Sequence, residues 1–198
     1  VRPIVLGSTS PWRAAILRRL GIAFSTAAPP FDETPAHDES PRETAIRFAE
    51  GKARSLRRAH PRSLVIGADQ TLELDGRLLR KPRDRAETSA QLEALSGRSH
   101  ALHAAISILD TDAGELTTDV VTITLTMRDL SRAKLERYVE LDRPSGVVGG
   151  YTFEARGACL FARVEGGDES AIVGLPVPAL TRCFAALGIE ILDLCGPG

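Results

Sequence analysis

Cysteine is scarce in this chain. Among 198 residues there are three, Cys159, Cys183 and Cys195, with no C-x-x-C pair. An odd, dispersed set excludes a disulfide scaffold and a cysteine-built zinc site, and fits reduced thiols in a cytoplasm. The four histidines contain no H-E-x-x-H. His100 and His103 are three apart, so on a strand they face opposite ways and do not make a metal pair. Charge of one sign is also lacking: 25 Lys and Arg stand against 26 Asp and Glu, a net charge of −1. That removes the global field that would draw nucleic acid or an anionic membrane, so neither partner is expected and any anion site must be local. No apolar run approaches the roughly 18 residues of a membrane span. The first residues lack the basic start, apolar core and small-residue cleavage site of a signal peptide, and a cytoplasmic location is expected. The chain opens on Val1 rather than Met, so an initiator or short extension is expected before it. No internal repeat, low-complexity tract or linker interrupts it, and residues 1–198 read as one domain.

The pattern that remains alternates strands and helices. Arg2 to Gly7 reads as a buried strand, followed by Ser10 as N-cap, Pro11 at the first helical position and Gly21 as terminator. Ile22 to Ala28 is expected as a second strand. Ser40-Pro41-Arg42-Glu43 is a capping box opening a helix with Ala45, Phe48, Ala49, Ala53 and Leu56 on its apolar stripe. Ser63 to Glu73 is a long strand, with Asp75-Gly76 as a hairpin turn into Leu78-Leu79. A helix over 85–95 follows. Strands over 101–109 and 117–127 flank the turn at 110–114. Ser131 caps a helix reaching about Leu141. Pro144-Ser145-Gly146 and Gly149-Gly150 mark a flexible connection, Tyr151 to Val164 is strand-like, and a last helix spans about 177–187. Hairpins among interleaved helices predict an α/β fold with a mixed sheet.

Two stretches concentrate polar chemistry. Gly7-Ser8-Thr9-Ser10-Pro11-Trp12-Arg13 places hydroxyls and a guanidinium at a helix N-terminus, which favours anions. The same residues also read as an ordinary capped helix with an exposed arginine. The spacing is not that of a Walker loop. Val65-Ile66-Gly67-Ala68-Asp69-Gln70 is an apolar run ending in one carboxylate, expected at a strand end. Asp69 is either a turn-capping acid or a Mg²⁺ ligand or base for phosphate chemistry. Glu33, in the loop Phe31-Asp32-Glu33-Thr34-Pro35, is a second acid. Lys52 and Lys81 are the candidate cations. Trp12, the single tryptophan, either packs under the first helix or offers its face to a base.

The chain resembles the Maf-type nucleotide pyrophosphatases over nearly its whole length. The resemblance rests on an ordered set: Leu6 to Arg13, Asp32 to Pro35, Glu50-Gly51-Lys52-Ala53, Ile66 to Gln70, Lys81-Pro82, Ser96 to His100, and Val173-Gly174-Leu175-Pro176. The Ser-Pro-Trp-Arg form is similar to the branch that cleaves 7-methyl-GTP; Ala14, Arg80 and Gly149-Gly150-Tyr151 depart from that branch. The resemblance implies a Maf/ITPase-like fold, a long twisted mixed sheet flanked by helices, with two lobes and an active-site cleft. It implies hydrolysis of a nucleoside triphosphate to monophosphate and pyrophosphate with Mg²⁺ or Mn²⁺, and a homodimer. By the match, Arg13, Glu33, Lys52, Asp69, Gln70 and Lys81 are site residues, with Asp69 the catalytic acid or base; Asp69, Lys52 and Lys81 are expected to be catalytic, Arg13, Glu33 and Gln70 to bind substrate together with Ser8, Ser10 and Trp12 of the first loop, and Asp69 and Glu33 to hold the metal. The rival expectations are a dTTP or UTP pyrophosphatase of the same family, and a non-catalytic nucleotide-binding regulator linked to cell division.

Overall fold

The computed structural model describes residues 2–144 and 146–196. Val1 and Ser145 of the expected connection lie outside the described residues, as do Pro197 and Gly198. One seven-stranded sheet organises the chain, in the order β2-β1-β3-β5-β6-β7 with β4 paired to β3. The strands are β1 (Ile4–Gly7), β2 (Ser25–Thr26), β3 (Leu64–Leu74), β4 (Arg77–Leu79), β5 (Ser99–Asp110), β6 (Leu116–Met127) and β7 (Phe161–Glu165). The helices are α1 (Pro11–Arg19), α2 (Pro41–Ser55), α3 (Arg85–Leu95), α4 (Arg132–Asp142), α5 (Glu169–Val173) and α6 (Val177–Ala186). β1 runs parallel to β2 and β3, and the other pairings are antiparallel. The mixed sheet expected from the sequence is present.

Alternation along β3 and β5 assigns each face of the sheet. Val65 and Leu109 pack with Ala53 of α2 and with Leu56 at its C-cap, and Ala105 packs with Ala45 and Ala49. The helix comes close because β3 carries Gly67 there: a Cβ at that position would lie 2.1 Å from the Ala49 carbonyl oxygen. The opposite face holds two apolar clusters. One joins Ile66, Ala68, Ile106 and Ile108 to α1 and α6 through Leu17, Leu180 and Phe184. The other joins Leu72, Leu102, Ile123 and Leu125 to α3 and α4 through Leu92, Leu95 and Leu135. Burial of such side chains is worth about 1.5–3 kcal/mol each, so one cluster anchors α1 and α6 to the sheet and the other anchors α3 and α4. Helix α5 sits between them, with Ala171 and Ile172 in the second cluster and Leu175, just beyond it, in the first.

Several expected elements are corrected. The strand expected over 22–28 shrinks to Ser25–Thr26. Ile22 instead bridges Cys195, and Pro29 and Pro30 have no N–H to continue a ladder. The strand expected over 151–164 begins only at Phe161, because 156–160 turns as a 3₁₀ helix. Gly157 permits that turn: its N–H donates to the Thr152 carbonyl at 3.0 Å, where a Cβ would have no room. Ser131 occupies the N-cap position of α4 without a side-chain capping bond. The capping box at Ser40 forms as expected, with Ser40 Oγ accepting from Glu43 N–H and Glu43 accepting from Ser40 N–H.

Candidate active site

The sheet has a gap where the polar residues gather. One edge of β3 pairs with β5 from Leu64 to Glu73. On its other edge β1 covers Leu64 to Gly67 and β4 covers Leu72 to Leu74, leaving Ala68 to Thr71 uncovered. Asp69 lies in this interval, in the middle of β3 and not at a strand end as expected from the sequence. The 11-residue strand runs through the polar pair because β5 goes on pairing beyond it, with Asp69 opposite Ala105 and Gln70 opposite Ala104.

Asp69 and Gln70 point to opposite faces. Asp69 faces α2, where Lys52 Nζ donates to its Oδ1 at 2.5 Å. Both groups are buried, Lys52 at 5% and Asp69 at 7% exposure, so each charge depends on the other. Glu33 Oε1 lies 3.0 Å from the same ammonium. The loop bearing Glu33 is held to α2 by Phe31, whose ring meets Phe48 edge-on at 5.9 Å. Gly51 makes room for that ring, since a Cβ there would sit 2.1 Å from it.

Arg13 closes the other side of the cluster. Its Nε donates to the Gly174 carbonyl at 2.9 Å, and its terminal nitrogen to Ser8 Oγ at 3.3 Å. Ser8 Oγ also accepts from the Ser10 N–H at 3.2 Å, and Ser10 Oγ from the Arg13 N–H at 3.4 Å. Burial pulls the guanidinium below its ordinary pKa, while the negative charges of Asp69 and then Glu33 oppose that shift. Gln70 Nε2 donates to the Ala171 and Ile172 carbonyls, both at 2.9 Å, and so ties β3 to α5.

The expected residues therefore divide into groups. Ser8, Ser10, Arg13, Glu33, Lys52 and Asp69 form one charged cluster. Gln70 braces the cluster from the opposite face, its amide N–H groups already committed to α5. Trp12 is 44% exposed beside an adjoining cavity and is not a core residue. Lys81 is exposed beyond β4 and makes no hydrogen bond or ion pair among the described residues. Sequence reasoning missed the Gly174 carbonyl, and with it Ser170, Glu169 and Glu154. Asp168 was the available signal: it caps α5 by accepting from Ala171 N–H at 3.0 Å.

Among the described residues no group of three or more His, Cys, Asp or Glu is placed to hold a metal. Asp69 and Glu33 are two carboxylates converging on one ammonium. Their chemistry suits Mg²⁺ or Mn²⁺, because Mg²⁺ keeps several waters and commonly takes only one or two carboxylates beside substrate phosphates.

Fold and cluster define an α/β protein with a charge-dense site on an uncovered sheet edge. A family model described as "Maf-like protein" matches residues 3–187. The chain belongs to the Maf-like family. It is 44% identical over 190 residues to the "7-methyl-GTP pyrophosphatase" of Hahella chejuensis, covering 95% of each chain. The protein of that name from Cupriavidus pinatubonensis is 41% identical over 185 residues, with 93% of each chain covered. A solved structure, "Nucleoside-triphosphatase / dITP/XTP pyrophosphatase" from Mycobacterium abscessus, is similar at a TM-score of 0.42 and 20% identity, over 65% of this chain and 75% of that one. That likeness is too low to carry weight.

Proposed function

We propose that this protein hydrolyses a nucleoside triphosphate, preferentially 7-methyl-GTP, to the monophosphate and pyrophosphate. The observation that carries the reading is the buried Lys52–Asp69 pair, joined by Glu33, at the uncovered edge of β3 beside Arg13. A triphosphate needs positive charge and a base near its α-phosphorus: Arg13 and Lys52 supply cationic donors and Asp69 the base, and a divalent cation on Asp69 and Glu33 would make the site net positive. The printed names of the relatives from Hahella and Cupriavidus support the substrate.

Water attacks the α-phosphorus, the bond from that phosphorus to the β-bridging oxygen breaks, and pyrophosphate leaves. Asp69 takes the proton from the attacking water. Arg13 and Lys52 offset the phosphate charge, with Ser8, Ser10 and the N-terminus of α1 as further donors. Lys81 is assigned to the distal phosphates. Asp69 and Glu33 would hold Mg²⁺ or Mn²⁺, which supplies charge neutralisation at the reacting centre when bound. The three free thiols suit a cytoplasmic location.

A panel of 7-methyl-GTP, GTP, dTTP and UTP, with monophosphate and pyrophosphate both quantified, tests the reading. Equimolar products with 7-methyl-GTP turned over fastest is the expected result. Faster dTTP or UTP cleavage would overturn the substrate, and the absence of pyrophosphate from every triphosphate would overturn the reaction.

A further inference from the structure

A separate cavity of about 310 Å³ opens between α4 and the 3₁₀ turn over 156–160, and none of its lining residues belongs to the charged cluster. The spacing along α4 builds one wall. Lys134, Arg137, Tyr138 and Leu141 stand at i, i+3, i+4 and i+7, so they share one helix face. Leu130 and Leu160 are buried on the lining, whereas Leu141 is left 46% exposed. The Tyr138 hydroxyl already accepts from the Thr152 N–H at 2.9 Å, so the residue offers its ring. The other wall is tied to Arg128. Its backbone N–H donates to the Leu160 carbonyl and its Nη1 to the Cys159 carbonyl, both at 2.9 Å.

The charge on this lining is of one sign. It carries Arg128, Lys134, Arg137 and Arg156, and no acidic residue. Two of the four have carboxylates nearby. Asp142 takes the Arg156 guanidinium at 2.9 Å, and Glu140 lies 3.6 Å from Arg137 while also meeting Arg85. Arg128 and Lys134 form no ion pair among the described residues. Because Arg128 spends Nη1 on Cys159, the Nε–Nη2 edge of its fork remains for the two oxygens of a carboxylate. Apolar surface beside unopposed cations suits an amphipathic anion. A hydrocarbon body removes Leu141 and the Tyr138 ring from water, and an oxyanion head takes charge-assisted hydrogen bonds. A neutral chain gains only the first, and a bare anion only the second. The volume is at the low end of the roughly 300–1,000 Å³ of small-molecule sites, so the ligand is small.

We propose that this cavity binds a medium-chain carboxylate, with Arg128 and Lys134 holding the head and Leu130, Leu141 and Leu160 taking the chain. Cys159 supplies the readout. It is exposed on the lining, whereas Cys183 is buried and Cys195 donates to the Ile191 carbonyl at 3.4 Å. Alkylation by iodoacetamide, resolved cysteine by cysteine from peptide masses, is followed in the intact protein with octanoate as the probe. Octanoate is expected to slow the reaction of Cys159 and leave that of Cys195 unchanged. Acetate, which lacks the chain, and octanol, which lacks the charge, are expected to need at least about tenfold higher concentration for the same protection. R128Q/K134Q is expected to keep its thermal midpoint, because both side chains are exposed, and to need at least about tenfold more octanoate. Leu141→Ser, also at an exposed position, tests the hydrocarbon half by the same readout and is expected to weaken protection by octanoate. Octanol as effective as octanoate, or wild-type protection in either variant, would overturn the proposal. So would protection of Cys159 that rises with protein concentration and needs no octanoate, since a second copy of the chain would then cover the cavity. No triphosphate enters these measurements, so their outcome is independent of the pyrophosphatase reading.

Discussion

At the scale of single residues, Asp69 and Lys52 carry both chemistry and stability, and substitutions separate the two. Asp69→Asn keeps a side-chain oxygen for Lys52 to donate to but removes the charge and the base. Turnover is expected to drop by at least about 10²-fold, the ordinary contribution of a positioned base, while the thermal midpoint moves little. Near-normal kcat in that variant would remove Asp69 from the mechanism. Lys52→Ala has a different outcome from the one its sequence position alone suggests. It strands Asp69 as a buried, unpaired carboxylate, and breaking such a pair costs about 3–5 kcal/mol. Denaturant titration is expected to show that loss together with lost activity. Lys81→Ala is expected to lower activity with stability unchanged, since Lys81 is exposed. Arg54, exposed on α2, and Arg57, exposed just beyond its end, are the controls and should leave both quantities alone. Lys52 was legible from the sequence as a cation; its burial was not, because burial depends on β3 lying under α2.

At the scale of elements, the site is set by how closely α2 meets β3 and by what the 29–40 segment packs on. Gly51→Ala tests the second contact. In an open helix this change gains up to about 1 kcal/mol of propensity. Here the new methyl would displace Phe31 and carry Glu33 away from Lys52. Activity is therefore expected to fall more than stability, measured as kcat/KM against the thermal midpoint. A second element-level test uses pH. His100 on β5 is buried against Tyr151, its Nε2 2.9 Å from the phenol oxygen, while its Nδ1 has no partner. Burial pushes its pKa down to about 4. The unfolded chain binds a proton near pH 6.5 that the folded chain refuses. Stability from neutral His100 is thus full above about pH 6.5 and is lost as pH falls toward 4, a contribution on the order of 3 kcal/mol. His100→Phe is expected to flatten that part of the stability profile; an unchanged slope between pH 6.5 and 4 would refute it. Local signals made many elements readable. The Ser40 capping box, the Asp75-Gly76 turn and the Pro11 helix start each lie within a few residues. Helix α5 was not readable, because its five residues are too short to show a period.

Across the whole molecule, the two apolar clusters hold α1 and α6 at one end of the sheet and α3 and α4 at the other, and the site opens along the edge of β3. An ordered set of short motifs was enough to identify the family, yet no single motif states which residues meet in space. Arg13 finds its carbonyl at Gly174, and Gln70 its partners at Ala171 and Ile172, through a topology that brings α5 back to β3 late in the chain. The same arrangement governs what a divalent cation does to the protein. Asp69 and Glu33 already face the Lys52 ammonium with the Arg13 guanidinium beside them, so two positive charges offset their two negative ones without metal. Chelation by EDTA is expected to abolish turnover, with recovery on adding Mg²⁺ or Mn²⁺. It is expected to change wild-type stability by less than about 1 kcal/mol, which is some 2–4 °C in midpoint for a chain of this size. In Lys52→Ala only Arg13 is left to offset the two carboxylates, which then attract a cation. Adding Mg²⁺ to that variant is expected to raise its midpoint, by mass action on the folded state, well beyond any rise in the wild type. Equal, negligible shifts in both proteins would show that Asp69 and Glu33 are not the metal ligands, whatever the chelator does to activity.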